Sequence, residues 1–198
     1  MKVNEIFYSL QGEGYHAGRA AVFIRLSGCN LKCPFCDTDF SASEEMSVDE
    51  IVNEVTNYSE ECRFVVITGG EPTLQNCVSL IDELHRKGYY VAMESNGTRQ
   101  APYNIDWLTI SPKSPFVNSK AAVIKQKTCH ELKLVFDGKH DPQIILSIMQ
   151  KADHLYLQPC DTGFIKPNEE IMKKCVEYIK QNPLWKMSLQ TQKILKVR

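Results

Sequence analysis

"SGCNLKCPFCDTDF", residues 27–40, places Cys29, Cys33 and Cys36 within eight residues, and no fourth cysteine stands beside them. A closed structural zinc site takes four ligands, so a triplet leaves one coordination position to be filled from elsewhere. Thiolates are soft donors that suit zinc, Cu(I) and iron–sulfur clusters. One reading is a zinc site with a distant fourth ligand, which His16, Cys62 or Cys160 could supply. The other is a [4Fe–4S] cluster with three cysteine-ligated irons and one iron left open. The triplet follows the β-rich run "AAVFIRLS" (20–27) and contains Pro34, so it lies on a loop after a strand.

Working outward from that loop, strand and helix patterns alternate. "SVDEIVNEVTNY" (47–58) carries Val48, Ile51, Val52 and Val55 at helical spacing, and Ser47 with Glu50 forms a capping box. "RFVVIT" (63–68) reads as a buried strand ended by Gly69-Gly70, and "TLQNCVSLIDELHRKG" (73–88) as a helix stopped by Gly88. Strands are expected at 89–95, 105–111, 130–136 and 153–159, with a last one at 185–190. Helices are expected at 141–152 and 167–181, each with proline in its first turn. Such alternation predicts βα units and a mostly parallel sheet. A complete eight-fold barrel takes about 250 residues. The chain has 198, so an α/β fold built as a partial, open (β/α) barrel in a single domain over 1–198 is expected. The strands end in polar or glycine-bearing turns, "SGC", "TGGEP", "ESNGT", "SPK" and "QPCD". Ligands collect at the C-terminal ends of parallel strands, so these five turns should face one site.

Composition narrows the class. Hydrophobic residues make up 43% and charged residues 24%, and the net charge is −1, which argues against a general nucleic-acid surface. The lysine-rich end, with Lys186, Lys193, Lys196 and Arg198, reads as a solvated tail. "MKVNEIFYSL" lacks the basic and apolar regions of a secretory signal, and no run approaches the ~18 apolar residues of a membrane span. A cytoplasmic location with reduced thiols is expected. Cys62, Cys77, Cys129 and Cys175 lie in apolar or helical patterns and read as small buried hydrophobes.

Cys-x3-Cys-x2-Cys, with Phe35 before the third cysteine, resembles the signature of the radical S-adenosylmethionine (SAM) enzymes. In that superfamily the open iron chelates the amino and carboxylate groups of SAM. Reduction then cleaves SAM to a 5′-deoxyadenosyl radical that abstracts hydrogen. "TGGEP" (68–72) resembles the superfamily's SAM-contacting turn, where paired glycines let backbone carbonyls approach a ligand amine. "SLQGEG" (9–14), "FIRLSGCNLKCPFCDT" (23–38), "TGGEP", "SPK" (111–113) and "SLQT" (188–191) occur in the order found in the 7-carboxy-7-deazaguanine synthase family. The resemblance runs from residue 8 to about residue 193.

The resemblance implies a homodimeric, abridged radical SAM barrel. It would convert 6-carboxy-5,6,7,8-tetrahydropterin to 7-carboxy-7-deazaguanine with loss of ammonia, on the route to queuosine and related deazapurines. SAM would act catalytically, Mg2+ would be required, and an electron donor such as a flavodoxin would supply the cluster. Cys29, Cys33 and Cys36 would hold the [4Fe–4S] cluster. Phe35, Cys36, Asp37, Gly70, Ser111, Pro112, Lys113, Gln158, Pro159, Cys160 and Asp161 would contact SAM. Leu10, Gln11, Gly12, Arg25, Thr68 and Arg198 would contact the pterin. Glu94 and Asn96 are further candidates for SAM. Thr38 would ligate Mg2+, although chemistry alone favours Asp37 or Asp39, since carboxylates are the stronger ligands.

Arg25 also stands out without the family. It shares a strand face with Phe23 and Ser27, and its planar fork suits a carboxylate, although a structural ion pair is the competing use. His85, His130 and His140 read as surface or packing residues. No side chain is expected as an acid–base catalyst, because the hard chemistry belongs to the cofactor. The chain departs from the family at Gln192, where histidine is common, so substrate binding should depend less on pH. The short stretch from Cys36 to Ser47 reads as a trimmed cluster loop over 28–40. Segment 185–198 should lie near the substrate. Two rival readings remain: a small glycyl-radical-enzyme activase, and a non-enzymatic zinc-binding module.

Overall fold

The apolar run that precedes the cysteine triplet forms the strand β2 (Ala20–Leu26), and the rest of the sheet is laid down from it in both directions. The computed structural model describes residues 1–36, 38–39 and 43–197. The chain runs β1 (Lys2–Leu10), β2, β3 (Glu44–Glu45), α1 (Val48–Tyr58), β4 (Phe64–Gly69), α2 (Val78–Arg86), β5 (Tyr90–Ser95) and β6 (Trp107–Ile110). It continues through β7 (Thr128–Phe136), α3 (Pro142–Leu146), β8 (Lys151–Pro159), α4 (Ile165–Gln181), β9 (Trp185–Met187) and α5 (Thr191–Leu195). One nine-stranded sheet has the order β3-β1-β2-β4-β5-β6-β7-β8-β9. From β2 to β9 every neighbouring pair is parallel, and β1 and β3 are antiparallel additions at one edge. This is the open, mostly parallel α/β sheet that the strand–helix alternation predicts.

Both faces are covered, as a parallel sheet requires. Val22, Ile24, Leu26, Val65, Ile67, Leu132 and Leu134 point to the helix side, where Ile51, Val52 and Val55 of α1 and Leu80, Ile81 and Leu84 of α2 pack on them. The four scattered cysteines are all buried. On the concave face, Phe7, Phe23, Phe64, Val66, Ala92 and Trp107 form a second cluster. The loop after β1 folds beneath it. Tyr15 stacks on Trp107 at 4.6 Å, His16 lies 4.9 Å from Phe64 and 4.7 Å from Trp107, and the Arg19 guanidinium sits 4.1 Å from the Phe64 ring. Phe64, Tyr90 and Trp107 each begin a strand, so this aromatic plug closes the N-terminal end of the barrel. The C-terminal end stays open.

Four local differences have physical causes. β1 is unannounced in the sequence because a bulge between Val3 and Glu5 breaks its alternation. The helix expected over 73–88 is a 3₁₀ turn at Pro72–Leu74 followed by α2, because Glu71 and Pro72 tighten the first turn. The helix expected over 141–152 is only five residues long, and β8 begins at Lys151. β9 ends at Met187, and the next residue, Ser188, turns in so that its N–H donates to the Leu157 carbonyl at 2.9 Å. α1 keeps its full capping box, with Ser47 Oγ accepting from Glu50 N at 3.2 Å and Glu50 Oε2 accepting from Ser47 N at 2.7 Å.

Burial holds the His16 imidazole neutral, lowering its pKa to about 4, with the nearby Arg19 and His154 adding to the shift. Its buried Nε2 has no hydrogen-bond partner among the described residues. The unfolded imidazole titrates near 6.5 and therefore binds a proton that the folded one refuses between about pH 6.5 and 4. Stability should accordingly fall as pH drops through that window. His16→Phe should show a shallower fall than the parent chain, measured by urea unfolding at pH 7 and pH 5.

Candidate active site

At the C-terminal end of the strands lies a cavity of about 750 Å³. Residues from all five polar turns line it, including Cys29, Gly70, Glu94, Ser111 and Gln158. Register explains the meeting of the first two turns. β2 and β4 pair so that Leu26 faces Gly69, and the chain then leaves both strands side by side. Gly70 N donates to Leu26 O at 3.0 Å and Glu71 N to Gly28 O at 2.9 Å. A Cβ on Gly70 would overlap the Gly28 carbonyl, so only glycine permits this approach. Gly69 has φ 119°, which a side chain would strain.

Glu71 ties the third turn to the first two. Its side chain belongs to a residue 1% exposed. Oε1 accepts from Thr73 N at 3.0 Å, Thr73 Oγ1 at 2.6 Å and Ser95 Oγ at 2.8 Å, and Oε2 accepts from Asn96 N at 2.7 Å. Asn96 Nδ2 then donates to Asn30 Oδ1 at 3.0 Å, and Asn30 Nδ2 to Thr98 Oγ1 at 2.9 Å. The loop bearing the cysteines is thus anchored through a buried carboxylate on the turn after the neighbouring strand.

Cys29, Cys33 and Cys36 all carry free thiols and line the cavity. Burial raises the Cys29 and Cys33 thiols above their usual range, and the three sulfurs are close enough for their charges to disfavour one another. The Lys113 ammonium opposes that rise. The partly buried Cys29 and Cys33 sulfurs become thiolates more readily against a strong positive charge, which an iron–sulfur body supplies on binding. Among the described residues, no three His, Cys, Asp or Glu side chains close on a single ion. Of the fourth ligands considered for zinc, His16 lies in the aromatic plug, and Cys62 is buried with its thiol toward the Ala20 and Phe64 carbonyls. Cys160 does line the cavity. The all-sulfur donor set, open on its cavity side beside the Gly28–Gly70 turn, fits a cluster with one accessible iron.

The other expected residues divide clearly. Leu10, Gln11, Gly12, Arg25 and Thr68 line one wall. Arg25 and Thr68 sit side by side across the β2–β4 pair. Glu5 accepts from Arg25 Nε at 2.8 Å, and the guanidinium carbon lies 5.5 Å from the Phe7 ring. A guanidinium carries five N–H donors, so this pair orients the fork without exhausting it. Phe35, Thr38 and Asp39 also line the cavity, with Phe35 edge-on to Phe116 at 4.9 Å. Lys113 Nζ donates to Ser111 O at 2.9 Å and Ser111 Oγ at 2.5 Å. Gln158, Pro159, Cys160 and Asp161 complete the lining. Pro112 is buried and does not reach the cavity surface. Asp37 and Arg198 lie outside the described residues.

Lys133, embedded in a strand pattern, carried no sequence signal, whereas Glu13 in its glycine loop is a polar group able, like Gln11, to take part in hydrogen-bond recognition. Lys193 is exposed, as a solvated tail residue would be, but it is also paired: its ammonium is 2.8 Å from Asp161 Oδ2, and both residues line the cavity. That bond, with donors from Gly163 N and Asn168 Nδ2, holds the Asp161 carboxyl well below the usual range. Gln190 and Gln192 donate to Glu13 Oε1 at 3.1 and 3.0 Å, and Thr191 N and Oγ1 donate to Gly12 O at 3.0 and 2.8 Å. Segment 188–193 therefore lies against the loop that follows β1.

The Radical SAM superfamily model matches residues 23–169. A protein of Bacteroides thetaiotaomicron named 7-carboxy-7-deazaguanine synthase is 46% identical, covering 100% of this chain and 98% of that one. The protein of the same name from Bradyrhizobium diazoefficiens is 36% identical, over 99% and 98%. The crystal structure of QueE from Escherichia coli superposes with a TM-score of 0.77 at 27% identity, covering 95% of this chain and 92% of that one.

Glu71→Gln tests the anchoring of the loops. An amide has one acceptor oxygen, so either the Asn96 N–H or the Thr73 N–H must face an NH₂ group inside the protein. The cost expected is about 1–3 kcal/mol, read as a lowered midpoint in denaturant unfolding.

Proposed function

The chain belongs to the 7-carboxy-7-deazaguanine synthase family of radical SAM enzymes, and from that premise we propose how its residues divide the work. The reaction is the radical-mediated ring contraction of 6-carboxy-5,6,7,8-tetrahydropterin to 7-carboxy-7-deazaguanine with release of ammonia, a step toward queuosine and related deazapurines. The observation that carries this reading is the meeting of the cysteine triplet, the paired-glycine turn and the Arg25–Thr68 pair on one cavity. An activase that acts on a large protein partner has no use for a wall built to hold a small carboxylate.

Cys29, Cys33 and Cys36 would hold the cluster, and the open turn at Gly70 would admit the SAM amine beside it. Phe35, Ser111, Lys113 and the strand end from Gln158 to Asp161 would line the rest of the SAM site. Bound there, the cluster and SAM supply the one-electron chemistry that takes and returns a hydrogen atom at C6 of the pterin. The product is the substrate less one ammonia, so no oxidant is consumed and SAM can be regenerated. The protein's part is positioning and exclusion of water. Arg25, oriented by Glu5, would clamp the substrate carboxylate. Gln11, Gly12 and Thr68 would support the ring, and the family resemblance gives Arg198 a substrate contact as well. Thr38, with the substrate carboxylate and water, would hold Mg2+, which keeps several waters and needs few protein ligands. A homodimer in the cytoplasm, reduced by a flavodoxin-like donor, completes the proposal. Among the described residues no helix is long and apolar enough to cross a membrane.

The test uses anaerobically reconstituted protein with the carboxypterin, SAM, reductant and Mg2+. The deazaguanine and ammonia should appear without net loss of SAM, and absence of product with an intact cluster overturns the reading. Colourless protein carrying one zinc per chain would favour the zinc module instead. Arg25→Ala should lower kcat/KM for the carboxypterin by roughly 10- to 100-fold, the worth of a lost hydrogen bond to a charged group, with cluster content unchanged.

A further inference from the structure

We propose that Lys133 is a positioning residue for the substrate wall: its ammonium clamps Glu13 and Glu94, which reach it from different parts of the chain, into one fixed pair of acceptors facing the cavity. This rests on the reading of the cavity as a pterin site. Lys133 lies on β7, where Glu131, Lys133 and Val135 alternate toward the concave face and Leu132 and Leu134 toward the helices. Its side chain is 6% exposed, and Nζ lies 2.7 Å from Glu13 Oε2 and 3.4 Å from Glu94 Oε1.

Each carboxylate gathers a further segment. Glu94 Oε1 accepts from Gln11 Nε2 at 3.0 Å, and Glu13 Oε1 accepts from Gln190 and Gln192. The loop after β1, the end of β5 and the C-terminal segment are thereby joined through one ammonium. All three line the cavity, together with Gln11 and Gly12.

The electrostatics make the clamp depend on that single charge. A buried ammonium is costly unless paired. Here Glu13, Glu94 and Glu131 face Lys133 and overcome the cost of burial, so that Lys133 stays protonated well above its ordinary range, while the like charge of Lys133 helps to lower nearby Lys113. In return Glu13 is held ionised, its pKa lowered to about 2 by the Lys133 charge and by the amide donors against the cost of burial. Glu131 is pushed up by burial and also accepts from Tyr15 N at 3.1 Å. Tyr156 pairs with Lys133 across the β7–β8 ladder and is itself pushed up by burial. Without the ammonium, Glu13, Glu94 and the buried Glu131 would face one another with no cation between them, which disfavours all three being ionised together. A protonated carboxyl donates where an ionised one accepts. The wall would then lose acceptors suited to a ring edge rich in N–H groups.

The experiment compares wild type, Lys133→Met and Lys133→Arg in the reconstituted holoenzyme. It reads cluster absorbance, SAM affinity, and the Kd for the carboxypterin by calorimetry from pH 6 to 9. Lys133→Met should keep its cluster and SAM affinity, and should weaken pterin binding roughly 10- to 100-fold at pH 7. Its pterin affinity should rise with pH across that range, a limb absent from the wild type, where Glu13 stays ionised throughout. Lys133→Arg should restore a flat profile and most of the affinity. Wild-type affinity and profile in Lys133→Met, or parallel loss of SAM and pterin binding, overturns the proposal. If Lys133→Met does not fold, the double variant Lys133→Met/Glu13→Gln removes the unpaired charge with the cation. It should bind SAM normally and pterin weakly, and wild-type pterin affinity there is equally fatal. Wild-type binding without turnover would sink the assigned reaction but leave the clamp standing on its Kd values.

Discussion

The close approach of two backbones, Gly28 against Gly70, is the constraint from which the site follows. It exists because β2 and β4 are parallel neighbours in register, so their C-terminal ends finish together. Parallel strands need a crossover between them, and α1 provides it while burying Ile51, Val52 and Val55 on the sheet. One packing solution therefore sets where the cysteine loop emerges, and where the turn that follows β4 can touch it. A side chain at Gly70 would separate them. The anchoring of the loop by Glu71 through Asn96 and Asn30 extends the same logic to β5.

Within the barrel, chemistry is sorted along the strands. Aromatic residues at the strand starts pack around Tyr15 and His16 and exclude water from the base. Charged residues at the strand ends, Arg25, Glu94 and Lys133, are paired and line the cavity. This arrangement suits radical chemistry. An apolar floor would keep water from a reactive species, and under the proposed function a substrate would meet fixed charges that do not have to reorganise. Charge pairing inside the cavity also explains why the C-terminal segment docks. Gln190 and Gln192 complete the shell of Glu13, and Lys193 meets Asp161.

Much of this was legible in the residues. The cysteine triplet, the glycine pair after a buried strand and the regular alternation of strand and helix each have short-range causes. So does the face of β2, where alternation puts Arg25 with Phe23 and away from Ile24. The capping box of α1 is likewise local, one side chain reaching three residues. β1 was missed because its bulge erases the period of two, and the helix after Pro142 was overestimated because its apolar run continues into β8.

The sequence by itself determined which chemistry the chain can host, because soft-donor spacing, paired glycines and strand-end turns are properties of neighbours along the chain. Tertiary structure alone decided the partners of the buried charges. Lys133 and Glu13 are 120 residues apart, and nothing local distinguishes that lysine from one at the surface. Only the closing of β7 beside the loop under β1 removes it from water, and that loss of solvent is what turns an ordinary ammonium into the tie between two carboxylates.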